Sequence, residues 1–148
     1  MAAWYAETFH AGRYYATNVR LGSLNPVLGT ENLPEFYQKA LLGSFRRLAD
    51  LVVYPPPDLW IVEAKVRLQP IAMAELEVYG RLAANTPEFL PYRDAPLRLA
   101  LVYVVPDHLV IALANEKGML TIQLHPPFEE ELLAGWEARK ISPTVATV

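Results

Sequence analysis

Three residues define the chemistry to look for: Asp50, Glu63 and Lys65. The acids and the lysine sit inside otherwise apolar runs, Phe45–Tyr54 (FRRLADLVVY) and Leu59–Arg67 (LWIVEAKVR), which read as strands. Between them Pro55-Pro56-Pro57-Asp58 cannot continue a ladder and makes a turn. A turn over 55–58 sets Tyr54 opposite Leu59, Val52 opposite Ile61 and Asp50 opposite Glu63. Directly opposed residues share a face of the sheet with Cβ atoms about 4.5–5.5 Å apart. Lys65, two residues beyond Glu63, projects to that face as well. Everything depends on the register, because a slip of one residue would send Glu63 and Lys65 to the face opposite Asp50.

Two carboxylates opposed on a half-buried sheet repel each other and lose hydration, which is costly unless something compensates. A divalent cation removes the repulsion. Mg²⁺ takes one or two carboxylates together with water and phosphate oxygens, and Mn²⁺ is expected to substitute for it. A neighbouring lysine stabilises charge on attacking or transferring oxygens. Such a set fits phosphodiester hydrolysis. The plain alternative is an acid–lysine salt bridge across a solvated strand pair, and the apolar flanks of both acids weigh against it.

The elements that must position these residues can be read along the chain. A helix is expected from Pro34 to Leu42, with Pro34 in its first turn and Gly43 closing it. A second helix opens at Pro70 and runs to about Asn85, before Pro87. Leu97–Val105 (LRLALVYVV) suits a central strand buried on both faces. Further strands are expected at Leu109–Ala114 and Leu120–Leu124. A terminal helix after Pro126-Pro127 carries Phe128, Leu132, Leu133 and Trp136 on its apolar face, and a frayed tail follows from Ser142. Residues 1–30, with Trp4, Tyr5, Phe9, Tyr14 and Tyr15 and then turn formers, read as a short strand or hairpin arm followed by a loop.

With these residues in place the chain resembles the PD-(D/E)xK nuclease superfamily over roughly residues 31–115. The elements follow that family's αβββαβ order with one core strand not separately resolved. Asp50 matches the isolated acid and Glu63-Ala64-Lys65 the ExK triplet, whereas the literal Pro57-Asp58 dipeptide lies in the turn. The resemblance implies an α/β restriction-endonuclease-like fold, a mixed sheet flanked by helices. It also implies metal ligation by Asp50, Glu63 and the Ala64 carbonyl, with Lys65 positioning the attacking water. Glu75-Leu76-Glu77-Val78-Tyr79 resembles the QxxxY motif of the lambda exonuclease and RecB-like branch, with Glu in place of Gln. Glu75 and Tyr79, four apart, share one helical face. Glu35 is the candidate for the acid that some members carry on the first helix, and otherwise a first-turn residue that favours the helix dipole.

The 148 residues fit one domain, divided here into an N-terminal arm (1–30), a core (31–115) and a C-terminal extension (116–148). The absence of cysteine excludes disulfides, thiolate metal sites and Cys nucleophiles. Thirteen prolines lean toward a thermostable sequence. There is no GxxxxGK[ST], GxSxG or strand-following GxGxxG, and His10, His108 and His125 lack metal spacing. No signal peptide or membrane span is legible, and a cytoplasmic protein is expected. A net charge of −3 gives no global attraction to nucleic acid, so contact with DNA falls to Lys39, Arg46, Arg47, Arg67 and Arg81 near the hairpin. Arg13 and Arg20 on the aromatic arm could add to it. The first reading is a small metal-dependent nuclease acting on DNA, as a homodimer or within a larger nucleoprotein complex such as a phage or mobile-element machine. Its rivals are a non-catalytic nuclease-fold module that binds DNA or assembles a machine, and an unrelated α/β binding domain with an incidental salt bridge.

Overall fold

A computed structural model describes residues 1–22, 34–35 and 47–141. Helix α1 (Ala2–Phe9) leads into β1 (Tyr15–Leu21), followed by β2 (Arg47–Val53) and β3 (Leu59–Arg67). Helix α2 (Pro70–Ala83) and a 3-10 helix (Pro87–Tyr92) cross to β4 (Leu97–Val105). Helix α3 (His108–Glu116), β5 (Leu120–Gln123) and α4 (Glu129–Ile141) complete the described chain. The strands form one sheet in the order β1-β2-β3-β4-β5, antiparallel from β1 to β3 and parallel from β3 to β5. The proline turn supplies the tight antiparallel return, while each parallel step needs a helical crossover, α2 and then α3.

The sheet has a core layer on each face. On one face Val52, Ile61, Leu101 and Tyr103 meet Ala72, Leu76 and Tyr79 of α2 and Val110 and Ala114 of α3. On the other Leu51, Val53, Val62, Ala100 and Val102 meet Tyr5 and Ala6 of α1. The turn before α4 reaches the same side through Phe128 against Trp4, and Trp136 of α4 lies under the Arg67 guanidinium at 5.0 Å. Burial of Ala72, Leu76 and Tyr79 at helical spacing fixes the rotation of α2 on the sheet. Gly80 lets it lie close, since a Cβ there would come within 2.8 Å of Leu99 Cδ1.

Taken in chain order, α1-β1-β2-β3-α2-β4 is the αβββαβ core of a restriction-endonuclease-like α/β fold. That core starts earlier than the sequence implied. The segment read as a strand or hairpin arm holds α1 and β1, and β1 is the strand that could not be resolved separately. The first core helix is therefore α1. Of the helix expected at Pro34–Leu42, only Pro34 and the helical Glu35 are described, and the rest lies outside the described residues, as does the tail from Ser142.

Residues Leu109–Ala114, expected as a strand, lie inside helix α3. Asp107 caps it by accepting from the backbone N–H groups of Leu109 (3.0 Å) and Val110 (3.1 Å). Tertiary demand overrides the β-branched composition here, because two parallel neighbours, β4 and β5, require a crossover between them.

Candidate metal and nucleic-acid site

Strand β2 pairs with β3 through Val53–Trp60, Val52–Ile61 and Leu51–Val62, the register that the proline turn dictates. The ladder stops one step before Asp50 and Glu63. There the Ala64 N–H donates to Asp50 Oδ2 at 2.8 Å, so a side chain takes over from the backbone of β2. Strands that separate at this point leave free the peptide groups which a continuous ladder would consume.

Glu63 faces α2 and is only 3% exposed. The Lys65 ammonium lies 2.6 Å from Glu63 Oε1 and 3.0 Å from Glu75 Oε2, bridging β3 to α2. The second contact is an ion pair without directed hydrogen-bond geometry. Glu63 Oε2 is buried without a hydrogen-bond partner. Burial pushes the Glu63 carboxyl up to about 7; the Lys65 ammonium opposes this, while the Asp50 charge and the adjacent Glu75 carboxyl add to it. For Lys65, burial works against the charge, but Glu63 and Glu75 outweigh it and hold the ammonium protonated above the ordinary lysine range. Tyr79, buried against the same group, donates from its hydroxyl to the Leu48 carbonyl at 2.9 Å and so ties α2 to β2. Burial raises its pKa, as do the charges of Glu63, Glu75 and Asp50.

The structure thus gathers Glu63, Lys65, Glu75 and Tyr79 between β3 and α2. Asp50, expected directly opposite Glu63 on the same face, instead leaves the ladder, bonds the Ala64 N–H and borders a hollow beside Ala64 and Val66, with its charge still felt at Glu63. Glu35 is exposed on its helical turn. Arg67 lies over Trp136, and the exposed Arg81 pairs with Glu77 at 3.3 Å one helical turn away. Lys39 and Arg46 lie outside the described residues, as does the side chain of Arg47. Arg13 and the turn residue Asp58 belong elsewhere, to an ion pair of 3.0 Å at the far end of β3.

Sequence reasoning passed over Asn18. It sits beside Asp50 on β1, is the one non-glycine residue with positive φ (54°) among those described, and borders a hollow of about 380 Å³ with Thr17, Asp50, Ala64 and Val66. An Asn within a strand-like run is the signal that would have found it, since Asn tolerates the left-handed region better than most residues.

Among the described residues no three His, Cys, Asp or Glu side chains form a ready metal cage. The site offers two carboxylates and the Ala64 carbonyl. The orphaned Glu63 Oε2, with the Asp50 charge close enough to raise the Glu63 pKa, is the feature that fits a cation. A lean donor set of this kind suits Mg²⁺, which keeps several waters and takes substrate phosphate oxygens.

No family model and no curated protein matches the chain. Among solved structures, a crystallised protein of unknown function is similar at a TM-score of 0.50 and 12% identity, over 99% of this chain and 69% of that one. That likeness extends to the fold. A repair endonuclease from Pyrococcus abyssi is similar at a TM-score of 0.47 and 14% identity, over 86% of this chain but 46% of that one, too loose a match to bear on chemistry. No helix among the described residues is long and apolar enough to cross a membrane.

Proposed function

We propose that the chain is a metal-dependent nuclease of PD-(D/E)xK type that hydrolyses DNA phosphodiester bonds. The observation that carries this reading is the buried Glu63 carboxylate, with one oxygen on Lys65 and the other without a partner, at the point where β2 parts from β3. Asp50, Glu63 and the Ala64 carbonyl would hold Mg²⁺ or Mn²⁺, which supplies a bound water of lowered pKa and polarises the scissile phosphate. Asp50 is held by the Ala64 N–H, which fixes one ligand relative to the peptide that carries another. Lys65 donates toward the attacking water and steadies the charge that grows on the phosphate oxygens. Glu75 shares the lysine and keeps its ammonium aimed into the angle between β3 and α2. Lys39, Arg46, Arg47, Arg67 and Arg81 are the cations assigned to the DNA backbone, where each would act on affinity rather than on chemistry.

One observation favours a second reading, a non-catalytic module that binds DNA or serves in assembly. Lys65 is already shared by two carboxylates, so Glu63, Glu75 and Lys65 hold together without an ion. Cleavage of duplex, nicked and single-stranded DNA with Mg²⁺ or Mn²⁺ separates the two. The nuclease reading expects cutting by the wild type, a loss of about 10²–10³-fold in Lys65→Ala, and wild-type cutting by Asp58→Ala. No cutting of any substrate by the wild type, or equal cutting by Lys65→Ala, would sink it.

A further inference from the structure

We infer that Asn18 is the positioning residue for Asp50: its left-handed backbone makes β1 and β2 change face together at the one place where Asp50 must leave the ladder. The β1–β2 register is constant from Tyr15–Val53 to Leu21–Arg47, and the single pair missing from it is Asn18 with Asp50. In an unbroken strand residues two apart share a face. Here they do not. Tyr15 packs into the α1 side of the core, while Val19 and Leu21 pack into the α2 side. On β2, Leu51 and Val53 belong to the α1 side and Ala49 to the α2 side. Both strands therefore roll over between 17 and 19 and between 49 and 51, with φ of +54° at Asn18 at the centre of the roll.

The roll has a direct effect on the site. Pairing of β2 with β3 ends at Leu51–Val62, immediately before the rolled position, and the Ala64 N–H is met by the Asp50 carboxylate. A β1 that ran straight would carry β2 straight with it, because those two strands stay paired on both sides of the break. Asp50 would then fall into a regular pleat, and its carboxylate would no longer reach Ala64. Left-handed backbone costs an ordinary L-residue roughly 1–2 kcal/mol, least for Asn and least of all for Gly. The choice of Asn at 18 is thus what lets the roll form without a penalty that would oppose it. This inference rests on Asp50 being a metal ligand only for its consequence in binding; the geometry of Asp50 on Ala64 can be read in the metal-free protein.

The test compares Asn18→Gly, which keeps the left-handed option, with Asn18→Val, which resists it, and with Asn18→Ala as a milder version should the valine variant not fold. Two readouts are taken: the amide proton shift of Ala64 in metal-free protein, with Asp50→Ala as the reference for a lost carboxylate bond, and Mn²⁺ affinity by calorimetry. Asn18→Gly is expected to match wild type in both. Asn18→Val, or Asn18→Ala to a smaller degree, is expected to move the Ala64 shift toward that of Asp50→Ala and to weaken Mn²⁺ binding about 10-fold or more. A wild-type Ala64 shift and wild-type Mn²⁺ affinity in the valine and alanine variants would overturn the inference. Should wild type itself bind no Mn²⁺, the metal reading falls, and the Ala64 shift alone then decides the role of Asn18, for or against.

Discussion

Two acids five residues apart, Asp58 in the turn just before β3 and Glu63 in the middle of that strand, are built in opposite ways. Asp58, at the proline turn, accepts from Trp60 Nε1 (2.7 Å), Arg13 Nη1 (3.0 Å) and Arg98 Nε (3.3 Å). Partial desolvation works against its ionisation, but those donors outweigh it and hold the carboxyl below the usual range. Glu63, five residues on, has one cation on one oxygen and no hydrogen-bond partner on the other, and its carboxyl is pushed up. A carboxylate with all its partners present is a fastener. One left short of partners in a buried place retains capacity to bind something else, and strongly perturbed acids concentrate at functional sites for that reason. Asp58 therefore reads as structure and Glu63 as function, although only five residues separate them.

The largest effect that would sharpen this contrast is on the Asp58 side. Arg13→Ala removes the guanidinium that bonds Asp58 and the carbonyls of Tyr54 and Asp58, leaving all three short of a donor. A loss of about 3 kcal/mol in urea unfolding is expected, and a change under about 1 kcal/mol would show that the cluster fastens nothing. Next comes Glu63→Gln in metal-free buffer. With its carboxyl at about 7 folded against 4.5 ordinarily, the folded state keeps a proton that the unfolded chain releases between those values. Stability therefore falls as pH rises through that window, and the full cost is present above it. Glu63→Gln should gain on the order of 2 kcal/mol at pH 8 and almost nothing at pH 4.5; a gain equal at both pH values would mean that charge burial is not the cause. Asp58 has the opposite sign, since its depressed carboxyl contributes stability that is present above the ordinary aspartate range and lost as pH falls through its folded value.

Tyr79→Phe is smaller, about 1 kcal/mol lost in thermal or urea unfolding, because it deletes a single hydrogen bond to Leu48 O. An unchanged stability would place that hydroxyl in a wet cleft rather than in the frame of the site. The smallest effect belongs to Arg98→Ala. Its side chain is more than half exposed and is only one of three donors to Asp58, so less than about 0.5 kcal/mol should be lost.

How much of this was legible in the sequence differs by element. The hairpin register followed from three prolines and held through Val53–Trp60, Val52–Ile61 and Leu51–Val62, because a turn fixes a register by geometry alone. Helix α2 was visible in Pro70 and its apolar spacing, and with it the approach of Glu75 and Tyr79 to the hairpin. Helix α1 was hidden by aromatic residues that favour strands, although alanines at 2, 3 and 6 are strong helix formers. Helix α3 carried its signals at its ends, in the Asp107 cap and in Gly118 with φ of 77°, while its middle looked like a strand. The orphaned oxygen of Glu63 was beyond any sequence reading. It depends on where α2 and β2 come to rest in three dimensions, and composition carries no trace of that.

The Arg13 clamp also has a mechanical side. Arg13 donates to the carbonyls of Tyr54 and Asp58, and the Tyr54 N–H donates to Tyr14 O at 2.9 Å, so the corner between α1 and β1 grips both legs of the hairpin at its closed end. At the other end, five residues or roughly 16 Å along β3, the legs part at Asp50 and Glu63. The hairpin is thus a pair of tweezers clasped at its closed end, while β1 on one side and β4 on the other hold the arms along their length and leave the two acids at the open tips.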